Sequence, residues 1–182
     1  MSNLLIDLSK DHAQGGFCNV HEIVGHKDIV FKEFGNKKTA IESYKYQKLL
    51  TRFDLAPKIY SKICKLNYAP YGFYSIDEPS SWGYITEKAL PVNHTKKTMV
   101  LLQELVENIA IKTKLKFWDC HWYNIGFLKR GRSKKLVCID TGKESFSGYS
   151  NAWGGSTPGP KCGYCNYYQC KCSTEPDCNY GI

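Results

Sequence analysis

The chain has 182 residues, of which 42% are apolar and 23% are charged. This composition fits a globular domain with a core. It excludes a largely disordered chain, and no membrane partner is expected, because no apolar run approaches the about 20 residues that span a bilayer. The 25 Lys and Arg residues against 17 Asp and Glu residues give a net charge of +8, which favours anionic partners such as nucleotides.

The first half of the chain predicts a β-hairpin followed by a helix. The two strands are expected at Phe17–Val24 and Ile29–Phe34, with the turn at His26–Asp28. A helix is expected over Thr39–Phe53, with Thr39 as its N-cap, because apolar residues recur there near one face. The residues of that face are Ile41, Tyr44, Leu49 and Phe53.

The middle of the chain predicts further strands and the most regular helix of the sequence. The strands are expected at Ile59–Leu66, Gly72–Ile76 and Gly83–Glu87. The helix is expected over Thr95–Lys114, where apolar residues at helical spacing predict one buried face. That face consists of Leu102, Leu105, Val106 and Ile109.

A second hairpin is expected after the long helix. Its strands Ile125–Leu128 and Leu136–Ile139 flank a basic segment, Lys129–Lys135, which is expected to form a solvated turn. Strands and helices are therefore grouped along the chain and do not alternate. Grouped elements are typical of the α+β class and not of a doubly wound parallel sheet.

Four polar residues at the edges of these elements have the side chains that a metal–nucleotide site needs. Lys32 lies in a strand, Asp119 and Asn124 lie in the loop after the long helix, and Asp140 ends a strand. An ammonium group can bind phosphates, and carboxylate and amide oxygens are the ligands that Mg²⁺ prefers. A second carboxylate can accept the proton of a hydroxyl group. A nucleotide and Mg²⁺ are therefore the expected ligands.

The spacing of these residues resembles the protein-kinase-like fold. Asp119, His121 and Asn124 form the pattern D-x-H-x-x-N, which is similar to the catalytic loop of atypical kinases and of the aminoglycoside phosphotransferase-like branch. Residues 140–142, Asp-Thr-Gly, resemble the metal-binding D-F-G motif with Thr in place of Phe. The resemblance covers about residues 13–145.

The resemblance also implies a nucleotide site in the first half of the chain. Lys32 matches the strand lysine that contacts the α- and β-phosphates, and Glu42 matches the helix glutamate that pairs with it. The hinge, whose backbone binds adenine, is implied around Glu87 and Ala89. A degenerate glycine-rich loop is implied at Gly15, Gly16, Phe17 and Val20.

A two-lobed architecture follows from the same resemblance. The N-lobe is expected at residues 1–88 and the C-lobe at residues 89–145, followed by a loop over 146–160 and a Cys-rich tail over 161–182. About 40 residues follow Asp140, too few for the usual large helical C-lobe. The expected C-lobe is therefore truncated.

The function implied by the resemblance is an ATP- and Mg²⁺-dependent phosphotransferase. We expect a small atypical serine/threonine protein kinase with a protein substrate, in which Asp119 orients or deprotonates the acceptor hydroxyl. Asn124 and Asp140 are expected to hold Mg²⁺.

A pseudokinase or nucleotide-binding module is an alternative, because Ala13 and Cys18 replace the outer glycines of the loop. A Cys-rich nucleic-acid-binding protein is a third hypothesis, although nucleic acid is not the partner that we expect.

The nine cysteines are unevenly distributed, with five of them after residue 160. The first residues lack the pattern of a secretory signal, so we expect a cytoplasmic protein whose clustered thiols bind metal. One C-x-x-C pair is a typical start of a structural zinc site, with disulfides and free thiols as the alternatives. The expected zinc ligands are Cys162, Cys165, Cys170 and Cys172.

Overall fold

The computed structural model describes residues 18–66, 81–93 and 95–146, together with residue 6 and residues 13–14. In this part of the chain, two α-helices and two antiparallel sheets form an α+β protein, which is the predicted class. The chain divides into two compact units, one of residues 1–51 with 57–88 and one of residues 52–56 with 89–182. The predicted strand Gly72–Ile76 and the Cys-rich tail lie outside the described residues.

The first unit contains a five-stranded antiparallel sheet in the order β1-β2-β3-β5-β4. Its strands are β1 (Ala13–Gln14), β2 (Asn19–Ile23), β3 (His26–Phe34), β4 (Cys64–Leu66) and β5 (Ser81–Glu87). The turn between β2 and β3 lies at Val24–Gly25, so the predicted turn at His26–Asp28 is wrong. Gly25 adopts a φ of 77°, which glycine reaches at no steric cost, and β3 can therefore begin at His26.

The predicted strand Ile59–Leu66 is reduced to a short β4. Ile59 forms a single bridge with Thr86, and the ladder is interrupted two residues later. There the hydroxyl group of Ser61, and not a backbone carbonyl, accepts the hydrogen bond from the Ile85 amide at 2.9 Å. Regular pairing resumes at Cys64, opposite Gly83.

Helix α1 covers Lys37–Thr51 and begins two residues earlier than predicted. Its cap is Asn36, because the Asn36 Oδ1 atom accepts the hydrogen bond from the Thr39 amide at 2.9 Å. The predicted apolar face is only partly confirmed: Tyr44 packs against the Tyr84 ring, whereas Phe53 lies outside the helix and is exposed. The buried face consists of Ala40, Ser43, Gln47 and Leu50.

Two buried polar residues fix α1 on the sheet. The Ser43 and Tyr84 hydroxyl groups lie 2.9 Å apart, and Tyr84 Oη donates to Gln47 Oε1 at 2.8 Å. The Gln47 amino group in turn donates to the carbonyl of Pro57 at 3.0 Å and to the hydroxyl group of Thr86. Buried polar groups stabilise a fold only when they are hydrogen-bonded, and this network satisfies them.

Helix α2 of the second unit covers Lys96–Thr113 and confirms the prediction. Thr95 is its N-cap, and the side chains of Thr95 and Thr98 form a reciprocal capping box. Lys114 caps the C-terminal end of the helix and adopts a φ of 62°. The predicted residues Leu102, Leu105 and Ile109 are buried, and Val106 is half-buried. Within the described ranges, no helix is long and apolar enough to cross a membrane.

The second hairpin consists of β6 (Ile125–Arg130) and β7 (Ser133–Cys138). Gly131 adopts a φ of 62° and permits a two-residue turn, so the ladder continues up to the pair Arg130 and Ser133. The basic residues that were predicted to form a turn therefore lie mainly in the strands. The open end of this hairpin carries Asn124 before β6 and Asp140 after β7.

Candidate functional site

The loop between α2 and β6 brings together the three residues of the D-x-H-x-x-N pattern. Residues Trp122–Asn124 form one 3₁₀ turn that directs the Asn124 side chain back to the start of the loop. The Asn124 amino group donates at 2.9 Å to both the backbone oxygen and the Oδ2 atom of Asp119. It also lies 3.0 Å from His121 Nε2. Asn124 is buried, whereas the Asp119 side chain is 34% exposed and accessible to a reactant.

The backbone places Asp140 beside this loop. The carbonyl oxygen of Asn124 accepts hydrogen bonds from the amides of Ile139 at 2.9 Å and Asp140 at 3.2 Å. Both residues therefore lie at the open end of the β6–β7 hairpin, where Ile125 pairs with Cys138. The D-x-H-x-x-N loop and the Asp-Thr-Gly segment are adjacent because of this hairpin.

The Asp140 carboxylate is held by two donors from the segment that follows it. Its Oδ1 atom accepts the Gly142 amide at 3.0 Å, and its Oδ2 atom accepts the Ser145 hydroxyl group at 3.0 Å. Each carboxylate oxygen has a further lone pair, so these bonds orient the carboxylate and leave it able to bind a cation. Ser145 is fully buried. No sequence motif indicated it, because only the 3₁₀ turn Lys143–Ser145 brings its hydroxyl group back to Asp140.

The donor set at this position fits a magnesium ion. All hydrogen bonds of the Asn124 side chain within the described ranges are made by its amino group. The Oδ1 atom of Asn124 accepts no hydrogen bond in these ranges. Asn124 Oδ1 and the Asp140 carboxylate are hard oxygen ligands, and Mg²⁺ usually takes one or two carboxylates with water and phosphate oxygens. No group of three or more His, Cys, Asp or Glu side chains that could hold a metal occurs in the described part of the chain.

Aromatic packing holds the segments on both sides of the site together. Phe117 and Phe146 form a β-bridge, and their rings stack with centroids 5.3 Å apart. The Trp118 amide donates to the Ser145 carbonyl at 3.3 Å. The segment before Asp119 is thereby fixed against the end of the segment that follows Asp140.

Lys32 lies in the first unit, on β3, and is buried at 5% exposure. It pairs with Val20 on one side and Tyr84 on the other. Its ammonium group lies 5.8 Å from the Tyr84 ring centroid and 5.9 Å from that of Phe34. Glu42 is half-buried on α1, and its pairing with Lys32 stays a prediction.

The other predicted nucleotide-binding residues are only partly described. Gly15, Gly16 and Phe17 lie outside the described residues, as do the predicted zinc ligands after residue 160. Glu87 is half-buried at the end of β5, and its amide donates to the Lys58 carbonyl at 2.8 Å. Ala89 is half-buried, and its backbone makes no hydrogen bond to another backbone group in the described ranges.

A buried charged cluster lies on the face of β3 opposite to Lys32, and sequence analysis missed it. His21 Nε2 lies 2.7 Å from Glu33 Oε2, and the Asn19 amide also approaches that oxygen, at 3.4 Å. Burial raises the pKa of Glu33. The hydrogen bonds from His21 and Asn19 and the charge of His21 outweigh burial, so the pKa lies below its usual value. The sequence signal for this cluster is the alternation of side chains between the two faces of β2 and β3. That alternation identifies cross-strand neighbours only once the turn at Gly25 fixes the register of the two strands.

Comparison with known proteins adds no family to this geometry. No family model matches the chain, and no curated protein matches its sequence.

Proposed function

We propose that this protein is an ATP- and Mg²⁺-dependent phosphotransferase of the two-lobed protein-kinase-like type, acting on a serine or threonine of a protein. The observation that carries the proposal is the meeting of Asp119, Asn124 and Asp140 at the open end of one hairpin. This set combines an accessible carboxylate with two oxygen ligands for a metal. Phosphoryl transfer needs such positioning and charge stabilisation more than covalent chemistry.

Each residue of this set has a distinct role in the proposal. Asp119, oriented by the Asn124 amide, accepts a hydrogen bond and then the proton from the acceptor hydroxyl group. Asn124 Oδ1 and the Asp140 carboxylate hold the metal. Mg²⁺ neutralises charge on the phosphate oxygens when it is bound. The ammonium group of Lys32 binds the phosphates of the nucleotide.

Transfer of labelled γ-phosphate from ATP tests the proposal. We expect the full chain to label a protein acceptor in a cell extract with Mg²⁺, and labelling to cease when EDTA removes the metal. The same extract without the added chain is the control. Absence of Mg²⁺-dependent labelling, together with absence of any shift of the melting temperature by MgATP, would contradict the proposal.

A nucleotide-binding module without turnover is the second candidate. It is favoured by one observation, the presence of Ala13 and Cys18 at the outer glycine positions of the implied loop, because glycine permits the close backbone approach to phosphate that transfer needs. A melting temperature raised by MgATP without any labelling of protein would identify this module.

Replacement of Ser145 by Ala is expected to weaken Mg²⁺ binding about 10- to 100-fold. The Ser145 hydroxyl group is one of two donors that orient the Asp140 carboxylate, and its loss lets that carboxylate turn away from the metal. The measurement is a Mg²⁺ titration of the melting temperature at saturating ATP. Thr98→Ala is the matched control, because it also removes a buried hydroxyl group from the second unit, at the α2 cap. Equal Mg²⁺ affinity in the two variants would show that Ser145 does not position Asp140.

A further inference from the structure

The β6–β7 hairpin carries five cationic residues within seven positions, and the structure divides them into two sets. The first set forms ion pairs with Asp54, which lies in the same unit. Arg130 donates to Asp54 Oδ1 from Nε at 3.1 Å and from Nη2 at 3.0 Å, and Lys135 donates to Asp54 Oδ2 at 2.9 Å. These ion pairs give Arg130 and Lys135 a structural role.

The second set consists of Lys129, Arg132 and Lys134, and we call it the cationic tip. All three residues are exposed, and none has a carboxylate within 4.0 Å in the described part of the chain. Lys129 and Lys134 are direct cross-strand partners in the ladder. Like charges in that arrangement repel each other and destabilise the hairpin. No packing contact of these exposed side chains explains why both positions carry a cation.

The shape of the cationic tip decides between two kinds of anionic partner. The tip is two strands wide, about 5 Å, and ends at the turn. Nucleic-acid interfaces commonly bury about 1,000–2,500 Å² and, for single strands, use aromatic side chains as stacking platforms. Residues 129–135 contain no aromatic residue. A small, purely cationic ribbon is complementary to a few carboxylates in an extended chain.

We propose that the cationic tip binds a short acidic segment of a partner protein. This inference is independent of the proposed phosphotransfer, because Asn124 and Asp140 lie at the opposite end of the hairpin. The net charge of +8 adds a long-range attraction for an acidic partner, and the two opposed lysines supply local contacts. Carboxylates bound at the tip offset the repulsion between Lys129 and Lys134.

Fluorescence anisotropy with a labelled Glu-rich octapeptide tests the proposal on the full chain. The tip variant is Lys129→Gln with Arg132→Gln and Lys134→Gln. The matched control is Lys96→Gln with Lys97→Gln and Lys112→Gln, which removes the same three charges from exposed positions of α2. We expect at least about tenfold weaker peptide binding in the tip variant and less than about twofold weakening in the control. The melting temperature of the tip variant should stay equal or rise.

Three results would overturn the proposal. Equal weakening in both variants would show that the peptide responds only to net charge. A lowered melting temperature of the tip variant, with unchanged peptide binding, would show that the three cations are structural. A labelled single-stranded oligonucleotide that binds more tightly than the peptide, and loses binding with the tip variant, would assign the surface to nucleic acid.

Discussion

Replacement of Glu33 by Gln is expected to lower the free energy of unfolding by about 1.5–3 kcal/mol at pH 7, because it removes the carboxylate charge that strengthens the buried hydrogen bond with His21. Glu33 is fully buried and His21 is 2% exposed. Urea unfolding followed by tryptophan fluorescence measures the effect, since Trp82 lies on β5 in the same unit. Asp28→Asn is the matched control, because it changes a carboxylate to an amide on the same strand at an exposed position.

The pH dependence provides a second readout for Glu33. Its pKa in the folded protein lies below the usual 4.5, so the folded state favours the charged carboxylate. The stabilisation is therefore complete above about pH 4.5 and is lost as the pH falls through the folded value. The wild type should lose stability with acidification over this range, and Glu33→Gln should have a shallower slope. Identical slopes in the two proteins would contradict the assignment.

A double variant separates the His21–Glu33 contact from general damage to the core. His21→Gln combined with Glu33→Gln replaces both side chains by amides that can form hydrogen bonds with each other and with Asn19. The stability lost in the double variant should be smaller than the sum of the losses in the two single variants, because each single variant leaves a buried partner without its native contact. Additive losses would show that the two side chains are not coupled.

The second helix could be predicted because local and global signals agree there. Apolar residues at helical spacing mark the buried face, and Thr95 with Thr98 supplies a capping box at the predicted start. The order of loop, hairpin and Asp140 could also be predicted from the sequence, because an antiparallel hairpin returns the chain to the end at which it started. The proximity of Asn124 and Asp140 follows from that topology alone.

The first helix could not be predicted in detail because half of its buried face is polar. Ser43 and Gln47 face the sheet only because Tyr84 and Thr86 provide hydrogen-bond partners from a distant strand. Apolar periodicity therefore missed these two positions. Ser145 escaped prediction for a related reason, since its role depends on a hydrogen bond formed across a 3₁₀ turn. In both cases tertiary contacts, and not local sequence pattern, determine the position of a polar side chain.

Replacement of Asp119 by Asn is expected to lower the rate of phosphate transfer about 10²- to 10⁴-fold, the usual contribution of a general base. The amide has the shape of the carboxylate, and its carbonyl oxygen can still accept the hydrogen bond from Asn124 at the position of Oδ2. The loop should therefore keep its fold, and the shift of the melting temperature with MgATP should stay within about twofold of the wild type. The measurement combines labelled phosphate transfer with a nucleotide titration on the same protein.

Asp54→Asn is the matched control for this prediction. Asp54 is a partly exposed carboxylate of the same unit, and it forms ion pairs with Arg130 and Lys135 away from the open end of the hairpin. Its loss removes the same charge and should leave transfer within about twofold, since exposed ion pairs contribute little to stability. Transfer that persists in Asp119→Asn would exclude Asp119 as the base. Transfer that falls equally in both variants would attribute the effect to charge and not to the acceptor hydroxyl group. Loss confined to Asp119→Asn, with nucleotide binding retained, would place the chemistry at this carboxylate.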